Sequence, residues 1–144
     1  MKATELRLGN LFYPIDRSKE IHLPIEIAYK ICSINYYEVE AVKFDVNPAT
    51  IQYWSEFNIT DLSPITLTKE WLLKLGFVGF GVFQEFVINS NLWISSASGK
   101  SVEIICENEH GEITDRASAL LPIKYVHSLQ NLYFALTGEE LTIK

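Results

Sequence analysis

Histidine, cysteine and basic side chains are all scarce in this chain, and each shortage closes off a class of function. The three histidines, His22, His110 and His127, are scattered, and the two cysteines, Cys32 and Cys106, lie far apart in sequence. Zinc sites draw several His or Cys ligands from close spacing. No C-x-x-C and no H-x-x-x-H occurs here, so the sequence predicts no metal site and no cofactor. Twelve Lys and Arg stand against eighteen Asp and Glu, for a net charge of −6 and a pI near 5.0. Phosphate backbones are held by clustered cations. The densest basic stretch is Arg17 and Lys19, with Glu20 directly after. Nucleic acid and anionic membrane are therefore not the expected partners. No stretch approaches the roughly 18 apolar residues that suggest a membrane span, and the opening MKATELRLGN lacks a signal peptide's apolar run. The cytoplasm is the expected compartment. Both cysteines sit inside apolar runs, ICSI and EIICE, and read as buried thiols acting as small hydrophobes.

What is present is apolar and aromatic. Of 144 residues, 48% are hydrophobic, with eight Phe, seven Tyr and three Trp. That suffices for one domain, or two small lobes, without disulfides or metals. Two regions divide near Asp61–Pro64, residues 1–63 being β-rich and residues 64–144 reading helix, β-meander, helix. In the first region Ile25, Ile27, Tyr29 and Ile31 alternate with Glu26, Ala28 and Lys30, the period of a half-buried strand. A second strand is read over Tyr36–Phe44. Asn47-Pro48 breaks the chain before a third, Ile51 to Phe57. Short strands with polar turns predict a bent antiparallel sheet of SH3-like kind.

The second region opens with Thr68 as an N-cap, Glu70 in the first turn, and Trp71, Leu72 and Leu75 on one helical face. Gly76 is the expected stop. Strands are then expected over Phe77–Phe83, Glu85–Ile88, Leu92–Ser96, Val102–Glu107 and Glu112–Asp115, the first two as one bent strand. Val102, Ile104 and Cys106 are expected to face the core, with Ile105 on the outer face under some cover. After Pro122, the stripe Tyr125, Leu129, Leu132, Tyr133 and Leu136 predicts a helix packed on the meander and ended by Gly138. Trp71, Leu75 and this stripe, apart from Tyr125, are expected to be buried. Leu141-Thr142-Ile143 is read as an edge strand. The fold class is α+β.

None of the chemistry-bearing groups forms a persuasive constellation. Gly76, Gly79 and Gly81 give G-x-x-G-x-G, but a phosphate loop needs a strand before and a helix after. Here the order is reversed, so the glycines serve as a helix stop and as sites of a bulge or close packing. Glu107, Glu109, His110, Glu112 and Asp115 surround Gly111 as a solvated hairpin tip. His127 and Ser128 are neighbours on a helix, about 100° apart around its axis, and are read as unable to pair. No catalytic residue is expected. Tyr36, Tyr37, Tyr53 and Trp54 are the candidate protein-contact residues.

The blocks ATELRLGNLFY, SPITLTKEWLLKLGF and YVHSLQNLYFALTGEELT resemble a family of small proteins from Bacteroidetes gut bacteria, often encoded in prophage or other mobile regions. Lys69 stands where that family suggests an acidic residue. The resemblance implies no activity, cofactor or catalytic residue. The sequence thus points to a non-catalytic protein-binding or accessory protein with a protein partner, and is compatible with a homo-oligomer. A nucleic-acid module on the N-terminal barrel is the second reading. A small enzyme with a site assembled from distant residues is the third.

Overall fold

The computed structural model describes residues 3–15, 27–44, 54–80, 83–89, 92–97, 102–108, 110, 112–118 and 123–143. The chain divides into two compact units. One holds Met1–Ile65 with Val126–Asn131, and the other holds Thr66–Tyr125 with Leu132–Lys144. The fold is α+β, with two five-stranded antiparallel sheets and two α-helices among the described residues.

In the first unit, β1 (Leu11–Pro14), β2 (Tyr29–Ile34), β3 (Glu38–Lys43), β4 (Ser55–Asn58) and β5 (Leu62–Pro64) form a sheet in the order β4-β3-β2-β1-β5. The outer strands β4 and β5 are consecutive in sequence, joined by a single 3₁₀ turn, Ile59–Asp61. A flat five-stranded sheet separates its edges by about 19 Å, four strand spacings. The link from Asn58 to Leu62 reaches no more than about 14 Å even if fully extended. The sheet must therefore curl, as the run of short strands and polar turns predicts. Its concave side holds Leu6, Phe12, Tyr29, Ile31, Val39, Ala41 and Leu62, with Phe57 and Ile59 packed against them. Phe12, Tyr29 and Phe57 meet as a ring cluster, Tyr29 and Phe57 edge to face at 4.9 Å.

In the second unit, α1 (Lys69–Lys74) is capped by Thr68, whose Oγ1 accepts from Trp71 N at 3.4 Å. The same hydroxyl, beside Glu70, holds that carboxyl below its ordinary value. Leu72 and Leu75 are fully buried, while Trp71 is half-buried under Lys74, whose Nζ lies 4.8 Å from the ring centre. The helix ends on Gly76 in a left-handed conformation, φ 88°. Gly76 N donates to Leu73 O and Phe77 N to Leu72 O, the paired closure of a Schellman motif.

The meander follows as β6 (Val78–Phe80), β7 (Phe83–Asn89), β8 (Leu92–Ala97), β9 (Val102–Glu107) and β10 (Ile113–Ser118), each paired with the next. The expected single bent strand is instead two, paired as a hairpin with Phe80 opposite Phe83. Gly79 needs no close approach, because a Cβ there would meet nothing within 4 Å. Gly81 lies outside the described residues. Registers place Gln84, Ser96 and Val102 in one row and Phe86, Ile94 and Ile104 in the next, on one face. Phe86 on that face meets Phe77 and Tyr133. The opposite face carries the rows Glu85–Ser95–Glu103 and Val87–Trp93–Ile105. Ile105 on this outer face is buried, which matches the expected cover, while Val78, Phe83 and Val87 are exposed.

The last helix, α2, spans Val126–Thr137 and stops at Gly138, φ 75°. Its buried residues are Val126, His127, Leu129 and Gln130, which corrects the expected stripe. Tyr125 is the N-cap and pairs as a bridge with Thr66, while Leu132 and Tyr133 are half-buried and Leu136 is exposed. The burial is concentrated in the first half of the helix, which belongs to the first unit. Leu141 is buried, but Leu141–Ile143 forms no strand. Cys32 and Cys106 are free thiols and half-buried rather than buried.

Candidate functional site

The start of α2 is the most constrained polar region of the first unit. Gln130 is 2% exposed. Its Oε1 accepts from Leu11 N at 3.0 Å and its Nε2 donates to Gly9 O at 3.1 Å, so one amide satisfies two backbone groups at the start of β1. Asn131 continues the clamp, accepting from Asn10 Nδ2 and donating to Glu5 O, both at 2.9 Å. Fully buried Asn10 then accepts from Arg7 N through Oδ1. The expected stripe on α2 does not include Gln130 or Asn131, and this role was not expected from it. No sequence signal marked it, because an amide that bonds backbone leaves no trace in apolar periodicity.

His127 and Ser128 correct a further expectation. Ser128 Oγ lies 3.4 Å from His127 Nε2, so neighbours on a helix do meet here. The imidazole is long enough to lean back across the angular gap that separates the two Cβ atoms. Glu5 Oε2 lies 3.9 Å from the same Nε2. A nucleophile–base–acid relay needs the hydroxyl and the carboxylate on opposite ring nitrogens. Here both face one nitrogen, and the Ser contact is long for an O–H···N bond. Burial lowers the His127 pKa against the opposing pull of Glu5. Burial thus favours the uncharged form of this imidazole.

Tyr36 and Tyr37 form the turn between β2 and β3, 85% and 69% exposed, with their rings edge to face at 4.6 Å. Asn35 builds the turn: its Oδ1 accepts from Tyr37 N and Glu38 N, and its N donates to Glu38 O. Trp54 is also exposed, at 61%. It lies at the other end of the same strand pair, since Ser55 stands opposite Ala41 while Glu38 stands opposite Asn58. That separates Trp54 from the tyrosines by roughly 15 Å along the strands. Tyr53 lies outside the described residues. The four candidates are thus not gathered into one patch; Tyr36 and Tyr37 are.

Beside the tyrosine turn the unit carries a cleft of about 510 Å³, lined by Pro14, Ile15, Tyr29, Glu38, Glu56, Phe57, Asn58 and Asp61. Tyr37 adjoins it directly: Glu38 is the next residue, and Ile59 N donates to Tyr37 O at 2.9 Å. Its size falls in the range of ligand-binding clefts. Glu56 stands opposite Glu40 across β3 and β4, a like-charge pair that disfavours the sheet. None of Glu38, Glu40 and Glu56 makes an ion pair with a described residue.

At the hairpin tip, His110 and Glu112 are exposed, and Asn108 Oδ1 accepts from both of their backbone amides at 3.0 Å. Among the described residues no group of three His, Cys, Asp or Glu side chains is placed to hold a metal ion, and no helix is long and apolar enough to cross a membrane. No family model, no curated protein and no solved structure matches the chain.

Proposed function

We propose that this chain is a non-catalytic binding or accessory protein that acts in the cytoplasm by contact with another protein. The resemblance of its three sequence blocks supports a mobile-element origin. The observation that carries the reading is the Tyr36–Tyr37 turn, two large rings held in water by a purpose-built Asn35 turn. Tyrosine at such a position supplies contact area with little rotamer entropy to lose, and is enriched at protein interfaces. The acidic strands beside it weigh against the second reading, a nucleic-acid module on an SH3-like barrel. The strand order β4-β3-β2-β1-β5 is compatible with such a barrel, but Glu38, Glu40 and Glu56 would face phosphate.

Two measurements test the proposal. Wild type and the double variant Tyr36→Ala/Tyr37→Ala are purified from native cells and their co-purifying proteins are quantified. A stoichiometric partner present with wild type and lost with the variant supports the reading; equal recovery removes it. Labelled DNA and RNA are titrated at ~150 mM salt, near physiological ionic strength. Saturable micromolar binding that weakens steeply with salt would promote the nucleic-acid reading instead.

A further inference from the structure

We draw no further inference here: the strongest candidate, the exposed apolar patch of Val78, Phe83 and Val87 on the outer face of the meander, carries none because nothing in the structure shows what covers it.

Discussion

Among the described residues each unit buries one glutamine almost completely, and the two are treated in opposite ways. Gln130 in the first unit has both ends of its amide bonded to backbone, at Leu11 N and Gly9 O. Gln84 in the second lies on the covered face of the meander, 1% exposed, and its Oε1 has no hydrogen-bond partner. A buried acceptor without a donor loses its water and gains nothing in return. The first unit is thus specified by polar bonds as well as by packing, and its sheet curls round an aromatic core. The second is a plain meander whose specification is mostly apolar, with Leu72, Leu75, Phe77 and Ile94 buried. The exposed groups differ in the same way. The first unit presents tyrosines and carboxylates around a cleft, whereas the second presents Val78, Phe83 and Val87 on a sheet face.

The largest expected effect comes from the first unit's core. Phe12 is fully buried and meets Tyr29 and Phe57, so Phe12→Ala should destabilise by about 3–5 kcal/mol in denaturant unfolding. A loss under about 1 kcal/mol would mean the ring cluster does not hold the curl. The glutamines come next. Gln130→Leu should cost about 1–3 kcal/mol, because it strands a backbone N–H and a C=O in the interior. Gln84→Leu should be neutral or stabilising, by up to about 1 kcal/mol, because it removes an unsatisfied acceptor. Equal destabilisation by both would erase the contrast between the units.

A pH dependence sharpens the account of α2. His127 is 2% exposed, and burial lowers its pKa from the ordinary 6.5, against the pull of Glu5. The unfolded chain therefore binds the proton more readily than the folded one. The stability this group contributes is complete above 6.5 and falls as pH drops from there toward the folded value. Unfolding curves across that window should show stability falling with acid, and His127→Gln should flatten that part of the slope. An unchanged slope would place the titration elsewhere. The smallest expected effect is that of Tyr36→Ala/Tyr37→Ala on stability, within about 0.5 kcal/mol, since exposed turn residues away from special contacts contribute little.

What was legible in the sequence followed period and punctuation. Thr68, Gly76 and Gly138 act as the caps their residue types suggest, and Tyr29 and Ile31 face the core as their alternation predicts. However, β2 begins only at Tyr29, Ile27 is exposed and Ala28 buried, the reverse of the expected pattern, and Ile25 lies outside the described residues. The meander is visible because its strands are short and bounded by turn residues, and most carry apolar runs, β10 (ITDRAS) excepted. The buried face of α2 was not legible, because half of it is polar: His127 and Gln130 are inside while Leu136 is outside. Periodicity counts only apolar residues, so a helix face built on an amide clamp goes unseen. The cleft was also invisible. Its residues come from β1, β2, β3, β4 and the 3₁₀ turn, and only the curl of the sheet brings them together. Tyr36 and Tyr37 were identifiable as contact candidates by type. Their separation from Trp54 required the strand register.

The central claim, that the first unit's tyrosine-and-carboxylate surface rather than the second unit's sheet face meets the partner, is tested most directly by one quantified co-purification from native cells. Wild type, Tyr36→Ala/Tyr37→Ala and Val87→Ser are compared at equal expression and equal fold stability. The account predicts one stoichiometric protein partner retained by wild type and by Val87→Ser and lost from the tyrosine variant. Retention by the tyrosine variant with loss from Val87→Ser would contradict it and move the contact to the meander.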